Sequence, residues 1–294
     1  MFCKIGQLPD SHLLQNTAVL TRIGQAGQVF TRELYAPERQ IGERQRILRS
    51  VAQQVVQTSA VALFAKPSAD YADKLAQAQD CLRQAAALGA VTQANSLGVE
   101  DMVITHIAQQ LQLNLPVFVL DTGRLHTETL ALLERLQAQE GVDVTVYHPQ
   151  AEAVRDYIRQ HGQDALYDSI ALRKQCCDMR KMEPLARALA GQKGWITGLR
   201  REQSSARAAV PLVDTSEPRT KFNPLANWTQ GDVWHYVAEH GVDTNPLHDQ
   251  FYPSIGCAPC TRPVTLGEDF RAGRWWWEDE NAKECGLHVQ KSKH

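Results

Sequence analysis

The 294-residue sequence has no apolar run near the roughly 18 residues that a membrane-spanning helix requires, and its longest candidates, such as the VFVL segment before Asp121, are strand-sized. A membrane-embedded class is therefore not expected. It also has no excess charge of one sign: 31 Lys and Arg stand against 33 Asp and Glu, a net charge of −2. No global field gathers nucleic acid or anionic membrane, so any anion site must be local. Seven cysteines, at 3, 81, 176, 177, 257, 260 and 285, are too few and too uneven for a disulfide framework in a chain of this size. The amino-terminal residues do not read as a secretory signal, because Pro9, Asp10 and Gln15 interrupt them early. A reducing cytoplasm is the expected compartment, and thiols there serve metal binding or catalysis.

What is present is a chain rich enough in apolar residues, 43%, for a substantial core. Residues 1–60 read as an amino-terminal extension, polar and rich in Gln and Arg, with one amphipathic stretch in which Ile47, Leu48, Val51 and Val55 share a helical face. Residues 61–294 read as one domain with a functional tail. A helix is expected from Ala69 through Leu88, followed by strands and helices in alternation. Strands are expected over 90–95, 116–120, 142–147 and 194–197, and another near 210–213. Helices are expected from Gly98 through Leu111 and over 127–139, 151–160, 164–190 and 229–240. This alternation is the pattern of an α/β fold, a mostly parallel sheet flanked by helices, here with a Cys-rich carboxyl-terminal tail.

Four cysteines fall in pairs. Cys257 and Cys260 form a C-x-x-C, which by itself serves zinc, iron–sulfur and redox chemistry alike. Cys176 and Cys177 are adjacent on an expected helix, where neighbouring side chains diverge by about 100°. One zinc ion needs four sulfurs at about 2.3 Å, which suits such a pair poorly, whereas a [4Fe–4S] cube takes one thiolate at each of four separated irons. The geometry favours a four-thiolate cluster over a four-cysteine zinc site. Cys285 has no cysteine partner; with Lys283 and His288 nearby it reads either as a nucleophile or as an incidental surface thiol.

Three strand ends carry glycine with hydroxyl or basic residues. The first turn, Ser96, Leu97 and Gly98, leads into a helix whose free N–H groups attract an anion, with Glu100 and Asp101 placed favourably for the helix dipole. The second strand ends in Leu120, Asp121, Thr122 and Gly123, and the fourth places Arg200 and Arg201 after Gly198. All lie at the carboxyl edge of a parallel sheet, where ligands of this architecture bind. Arg271 and Arg274 precede three tryptophans, whose expected role is to pack the tail onto the core.

In combination, SLGVED, LDTG, the vicinal cysteines with Lys181 following, TGLRREQS, KFNPLANW, the C-x-x-C and ECGLH resemble the assimilatory adenylylsulfate reductases, the thioredoxin-dependent, cluster-bearing members of the phosphoadenylylsulfate reductase family. The resemblance runs from about Val61 to Val289. It implies an adenine-nucleotide α-hydrolase-like fold and one [4Fe–4S] cluster per chain on Cys176, Cys177, Cys257 and Cys260. It implies reduction of adenosine 5′-phosphosulfate to sulfite and AMP, within sulfate assimilation and cysteine biosynthesis. Cys285 would attack the sulfate sulfur to give a cysteine S-sulfonate, and thioredoxin or glutaredoxin would reduce the adduct. Lys181, Arg271 and Arg274 match the family's basic active-site positions, and His288, close to Cys285 in sequence, is expected to be catalytic with them. Ser96, Leu97, Gly98, Glu100, Asp101, Leu120, Asp121, Thr122, Gly123, Arg200 and Arg201 match its substrate-binding stretches. Homo-oligomerisation stays open.

Three alternatives are weighed against this. The same chemistry on the 3′-phosphorylated substrate is the nearest. A tRNA-thiolating ATP pyrophosphatase would need an SGGxDS-type loop, and SLGVED lacks its second glycine and final serine. A non-enzymatic zinc module is the third.

Overall fold

The structure, a computed structural model, describes residues 59–265 and 267–278. The stretch around Ile47 to Val55, together with Cys285 and His288, lies outside the described residues.

The described chain opens with a short helix, α1 (Ala60–Phe64), then α2 (Tyr71–Leu88), which ends at Gly89, φ 65°. The β/α alternation follows: β1 (Val91–Ala94), α3 (Val99–Gln110), β2 (Val117–Leu120), α4 (Thr127–Ala138), β3 (Val144–Tyr147) and α5 (Ala151–His161). After α6 (Ile170–Cys177), a π turn (Asp178–Met182) and α7 (Glu183–Ala188) come β4 (Gly194–Ile196), β5 (Val213–Asp214), β6 (Thr220–Phe222) and α8 (Gln230–His240).

Strand order in the sheet is β3-β2-β1-β4-β6-β5, parallel throughout except that β5 runs antiparallel to β6. β1 is central, with Gln93 opposite Val117 on one side and Ile196 on the other. The chain leaves β1 toward β3 and then returns across it to β4, so the order reverses between β1 and β4. A crevice opens at such a reversal, beyond the carboxyl ends of the strands. Burial explains why the strands read as apolar runs: β1 and β4 are covered on both faces. One face packs against α2, α3 and α8 through Leu82, Ile104, Ile107 and Val233, with Trp228, just before α8, in the same cluster. The other packs Phe118 and Trp195 against Leu185 and Leu189.

Two expectations need correction. The single helix over 164–190 is a 3-10 turn at Ala165–Tyr167, then α6, the π turn and α7. Ser169 restarts the helix by accepting a hydrogen bond from the Leu172 N–H at 3.2 Å. The strand expected near 210–213 begins only at Val213 and pairs with β6 as an antiparallel edge.

Candidate active site

Beyond β1, the turn Asn95–Gly98 is built by local hydrogen bonds. Asn95 Oδ1 accepts from the Leu97 N–H at 2.7 Å, and Leu97 adopts φ 63°, a left-handed conformation unusual for a branched residue. The twist turns the Leu97 side chain into the core, where it is fully buried, and turns Ser96 outward. Asp101 Oδ2 then accepts from the Ser96 N–H at 2.8 Å and its hydroxyl at 2.6 Å. Burial pushes the Asp101 carboxyl up to about 6, against the Ser96 hydroxyl and N–H that favour its charged form. Gly198, at the end of β4, closes on the same helix start, since a Cβ there would stand 2.9 Å from Glu100 Cβ.

These strand ends enclose a cavity of about 210 Å³. Its apolar wall is Ala94, Phe118, Leu120, Leu185 and Trp195, the side suited to a flat aromatic ring. Ser96, Gly98, Glu100 and Asp101 line the α3 end, and Thr122, Lys181, Arg207, Arg271 and Arg274 also face it. Four cations against two carboxylates, in a chain of net charge −2, make this a local site for an anion.

The other expected ligand contacts are placed differently. Arg200 is 1% exposed and does not line the cavity; its Nε donates to Glu100 Oε1 at 3.0 Å and its Nη1 to Glu202 Oε2 at 2.8 Å. Burial would push Glu100 up, but Arg200 and the Gln203 amide outweigh it, so the carboxyl lies below its ordinary range. Arg201 points outward and donates to the Val210 carbonyl at 2.8 Å. Asp121 caps the following turn, accepting from the Gly123 N–H at 2.9 Å, and neither residue lines the cavity. Leu97 is absent from the lining for the reason given above. The basic residue that the loop after β4 does present to the cavity is Arg207, whose Nη1 donates to Gln203 Oε1 at 2.6 Å. Residues 203–207 carry no motif that singles out this arginine; the signal lies in Gln203, which bridges Arg207 to Glu100.

A second, smaller cavity adjoins the first. It measures about 20 Å³ and is lined by Cys176, Cys177, Cys257 and Cys260, with Lys181 facing both cavities. α6 and the π turn supply Cys176, Cys177, Arg180 and Lys181. The other two thiols come from residues 257–260, pinned where the Ala258 N–H donates to the Arg124 carbonyl at 2.8 Å and Tyr167 Oη donates to the Pro259 carbonyl at 2.7 Å. Thr122 Oγ1 lies 3.2 Å from Cys257 Sγ, and Arg180 Nη1 donates to the Thr122 carbonyl at 2.6 Å, so the turn after β2 serves both cavities. Burial pushes the Cys257 thiol up, but Lys181, the Thr122 hydroxyl, Arg274 and Arg180 outweigh it and the net shift is downward. Burial prevails at Cys176, and it prevails at Cys260 with the help of Cys257, taking Cys260 to about 12.

None of the four buried cysteines is in a disulfide, and no three His, Cys, Asp or Glu among the described residues gather round a single ion. Arg180 Nε and Trp275 Nε1 beside them are buried donors with no protein acceptor. Four thiols with two unsatisfied donors beside them fit a compact, electron-rich group with sulfur acceptors. Trp275 packs as expected of the tail: it is 1% exposed between the guanidinium groups of Arg173, at 4.8 Å, and Arg274, at 4.7 Å, whereas Trp276 is 40% exposed.

The family model for the phosphoadenosine phosphosulfate reductase domain matches residues 90–263, which contain the whole sheet after α2 and both cysteine pairs. This chain belongs to that family. Among relatives in the phosphoadenosine phosphosulfate reductase family, a protein of Allochromatium vinosum named adenosine 5′-phosphosulfate reductase is 52% identical over 203 residues, 68% of this chain and 79% of its own. A Burkholderia cepacia protein of the same name is 50% identical over 198 residues, 67% of this chain and 79% of its own. Among solved structures, phosphoadenylyl-sulfate reductase from Candida auris, in a phosphate complex, superposes with TM-score 0.53 at 26% identity over 62% of this chain and 88% of that one. The family is one of oxidoreductases acting on sulfur, and the sheet is of its type. No described helix is long and apolar enough to cross a membrane.

Proposed function

We propose that the chain reduces adenosine 5′-phosphosulfate to sulfite and AMP, with thioredoxin or glutaredoxin as the electron donor, in cytoplasmic sulfate assimilation leading to cysteine. The observation that carries the reading is the cationic cavity at the reversal point of the sheet, joined through Lys181 to a pocket lined by four cysteines.

The apolar wall of Phe118, Leu120 and Trp195 suits the adenine ring. Ser96 and the start of α3 suit the phosphate, and Lys181, Arg271 and Arg274 suit the sulfate. The Cys285 thiolate attacks the sulfate sulfur; the sulfur–oxygen bond to the phosphate breaks, AMP leaves with the electron pair, and a cysteine S-sulfonate remains. Two thiols of the reductant supply the two electrons that release sulfite and regenerate the Cys285 thiolate, the reductant leaving as its disulfide. Attack on a sulfur screened by anionic oxygens needs positive charge beside it, and the three basic side chains provide it. His288 supports the thiolate. Cys176, Cys177, Cys257 and Cys260 would hold one [4Fe–4S] cluster, whose contribution when bound is electrostatic and structural.

The relatives at about half identity bear the 5′-phosphosulfate name, whereas the structure named for the 3′-phosphorylated substrate is 26% identical, which favours the unphosphorylated substrate. The test is an intact-mass spectrum after anaerobic incubation with each nucleotide in parallel. A gain of one SO3 on the Cys285 peptide with adenosine 5′-phosphosulfate alone is the expected result. An adduct with both nucleotides would make the enzyme bifunctional, and none with either would remove the reading.

A further inference from the structure

One side chain lining the nucleotide cavity belongs to none of the groups discussed so far. His248 sits in a 3-10 turn, Pro246–Gln250, after α8 and is 6% exposed. The turn is fixed from both ends. Asn245 Oδ1 accepts from the Leu247 N–H at 3.1 Å while Asn245 Nδ2 donates to Thr129 Oγ1 at 2.8 Å. Phe251 then adopts φ 65°, a left-handed conformation costly for an aromatic residue. That reversal brings the Tyr252 carbonyl to 2.9 Å from His248 Nδ1. Trp234 of α8 packs edge-on against the ring, centroids 5.3 Å apart.

A carbonyl oxygen can only accept, so Nδ1 carries the proton and Nε2 of the neutral ring presents a lone pair. Nε2 is buried and has no partner in the protein. Burial holds the ring below its ordinary value, against the opposing pull of Glu100, the Tyr252 carbonyl and Asp249. Buried polar atoms are rarely left unpaired, and one on a ligand cavity is most simply paired by the ligand. The cations of the cavity serve the anionic end of a nucleotide. A neutral acceptor serves a different part: it pairs with a hydroxyl or amino hydrogen and repels an anionic oxygen.

Resting on the nucleotide reading above, we propose that His248 is a specificity-determining residue whose Nε2 accepts a hydrogen bond from a neutral donor of the bound nucleotide, a ribose hydroxyl or the adenine amino group. The strained turn at Phe251 serves to fix that tautomer. A phosphate brought to this corner would face a lone pair rather than a donor, so the same atom counts against an added anion.

The test is calorimetric titration of the full chain with AMP, 2′-deoxy-AMP, 3′-deoxy-AMP and the 5′-monophosphate of purine riboside, which lacks the 6-amino group. The unmodified protein should bind one of the three analogues about tenfold more weakly than AMP. His248→Phe, and His248→Asn, which keeps a donor for Tyr252, should bind AMP about tenfold more weakly and lose that one discrimination. His248→Gln, which can place an amide oxygen near the Nε2 position, should recover part of it. In turnover the loss should fall on KM for adenosine 5′-phosphosulfate rather than on kcat. Unchanged analogue ratios in folded variants would overturn the proposal, and so would an unmodified protein that discriminates against none of the three, without recourse to any variant. Failure of the unmodified protein to bind AMP at all would remove the nucleotide reading and this inference together.

Discussion

At Gly198 the strand-to-loop turn comes so close to α3 that an added methyl group would meet both acidic residues of its first turn. Gly198→Ala must displace Asp101 or Glu100, loosening Ser96 from the one and Arg200 from the other. The expected outcome is a loss of about 2 kcal/mol in stability, by overpacking, and weaker AMP binding, read by thermal denaturation and by titration. This is also where the limits of the sequence are plainest. The cysteine pairs and Ser96 stand out there by residue type and spacing, and Lys181, Arg271 and Arg274 by the family resemblance; all of them line the two cavities. The role of Arg200 is not legible there, because an arginine in a loop reads the same whether it meets a ligand or, as here, a buried glutamate. Arg207 and His248 carry no motif at all; only the return of distant segments to the cavity reveals them.

Elements with strong local signals were legible, and those shaped by tertiary contact were not. The start of α8 is written in the sequence as Thr229 with Asp232 three residues on, a reciprocal cap in which each side chain accepts from the other's backbone N–H. Asp232 also accepts from the Ser68 N–H and hydroxyl at 2.7 Å each, and Lys74 Nζ lies 3.2 Å away, tying the residues before α2 to α8. Burial alone would raise this carboxyl, but the Ser68 and Thr229 backbone and hydroxyl donors hold it at about 2. A carboxyl depressed in the folded state contributes its full stability above its unfolded value near 4 and loses it as pH falls toward 2. Asp232→Ala should therefore cost on the order of 3 kcal/mol at pH 7, and its deficit against the unmodified protein should shrink across that acid window in chemical denaturation. The break at Asp178–Met182 had no comparable signature. Helical periodicity continues smoothly through the cysteines, and Pro184 sits in the first turn of α7, where its missing N–H is harmless, so nothing in the pattern announces a wider turn.

For the whole molecule, the alternation of strands and helices was enough to give the four parallel strands β1 to β4, while β6 was missed and the antiparallel direction of the two-residue β5 was not foreseeable. The segment that follows α8 is bound to the rest by polar contacts as much as by burial. Arg173, fully buried, donates to Glu278 through Nε at 2.9 Å and Nη2 at 2.6 Å, and Trp275 lies against the same guanidinium. Glu278→Ala would take the carboxylate away from a buried cation and should release this segment, at a cost of about 3 kcal/mol. The expected readout is faster tryptic cleavage and deuterium uptake over 262–278, with β1 and β2 still protected.

The two cysteine pairs carry a further consequence, which concerns the order in which the protein is made. Every strand of the sheet has left the ribosome by Phe222, and α8 by His240, before the second pair, Cys257 and Cys260, emerges. The nucleotide platform can therefore fold while only half of the thiol pocket exists. Anything the four thiols bind together can be delivered only to a nearly finished chain, and the interval between the two pairs is a window in which Cys176 and Cys177 are open to oxidants.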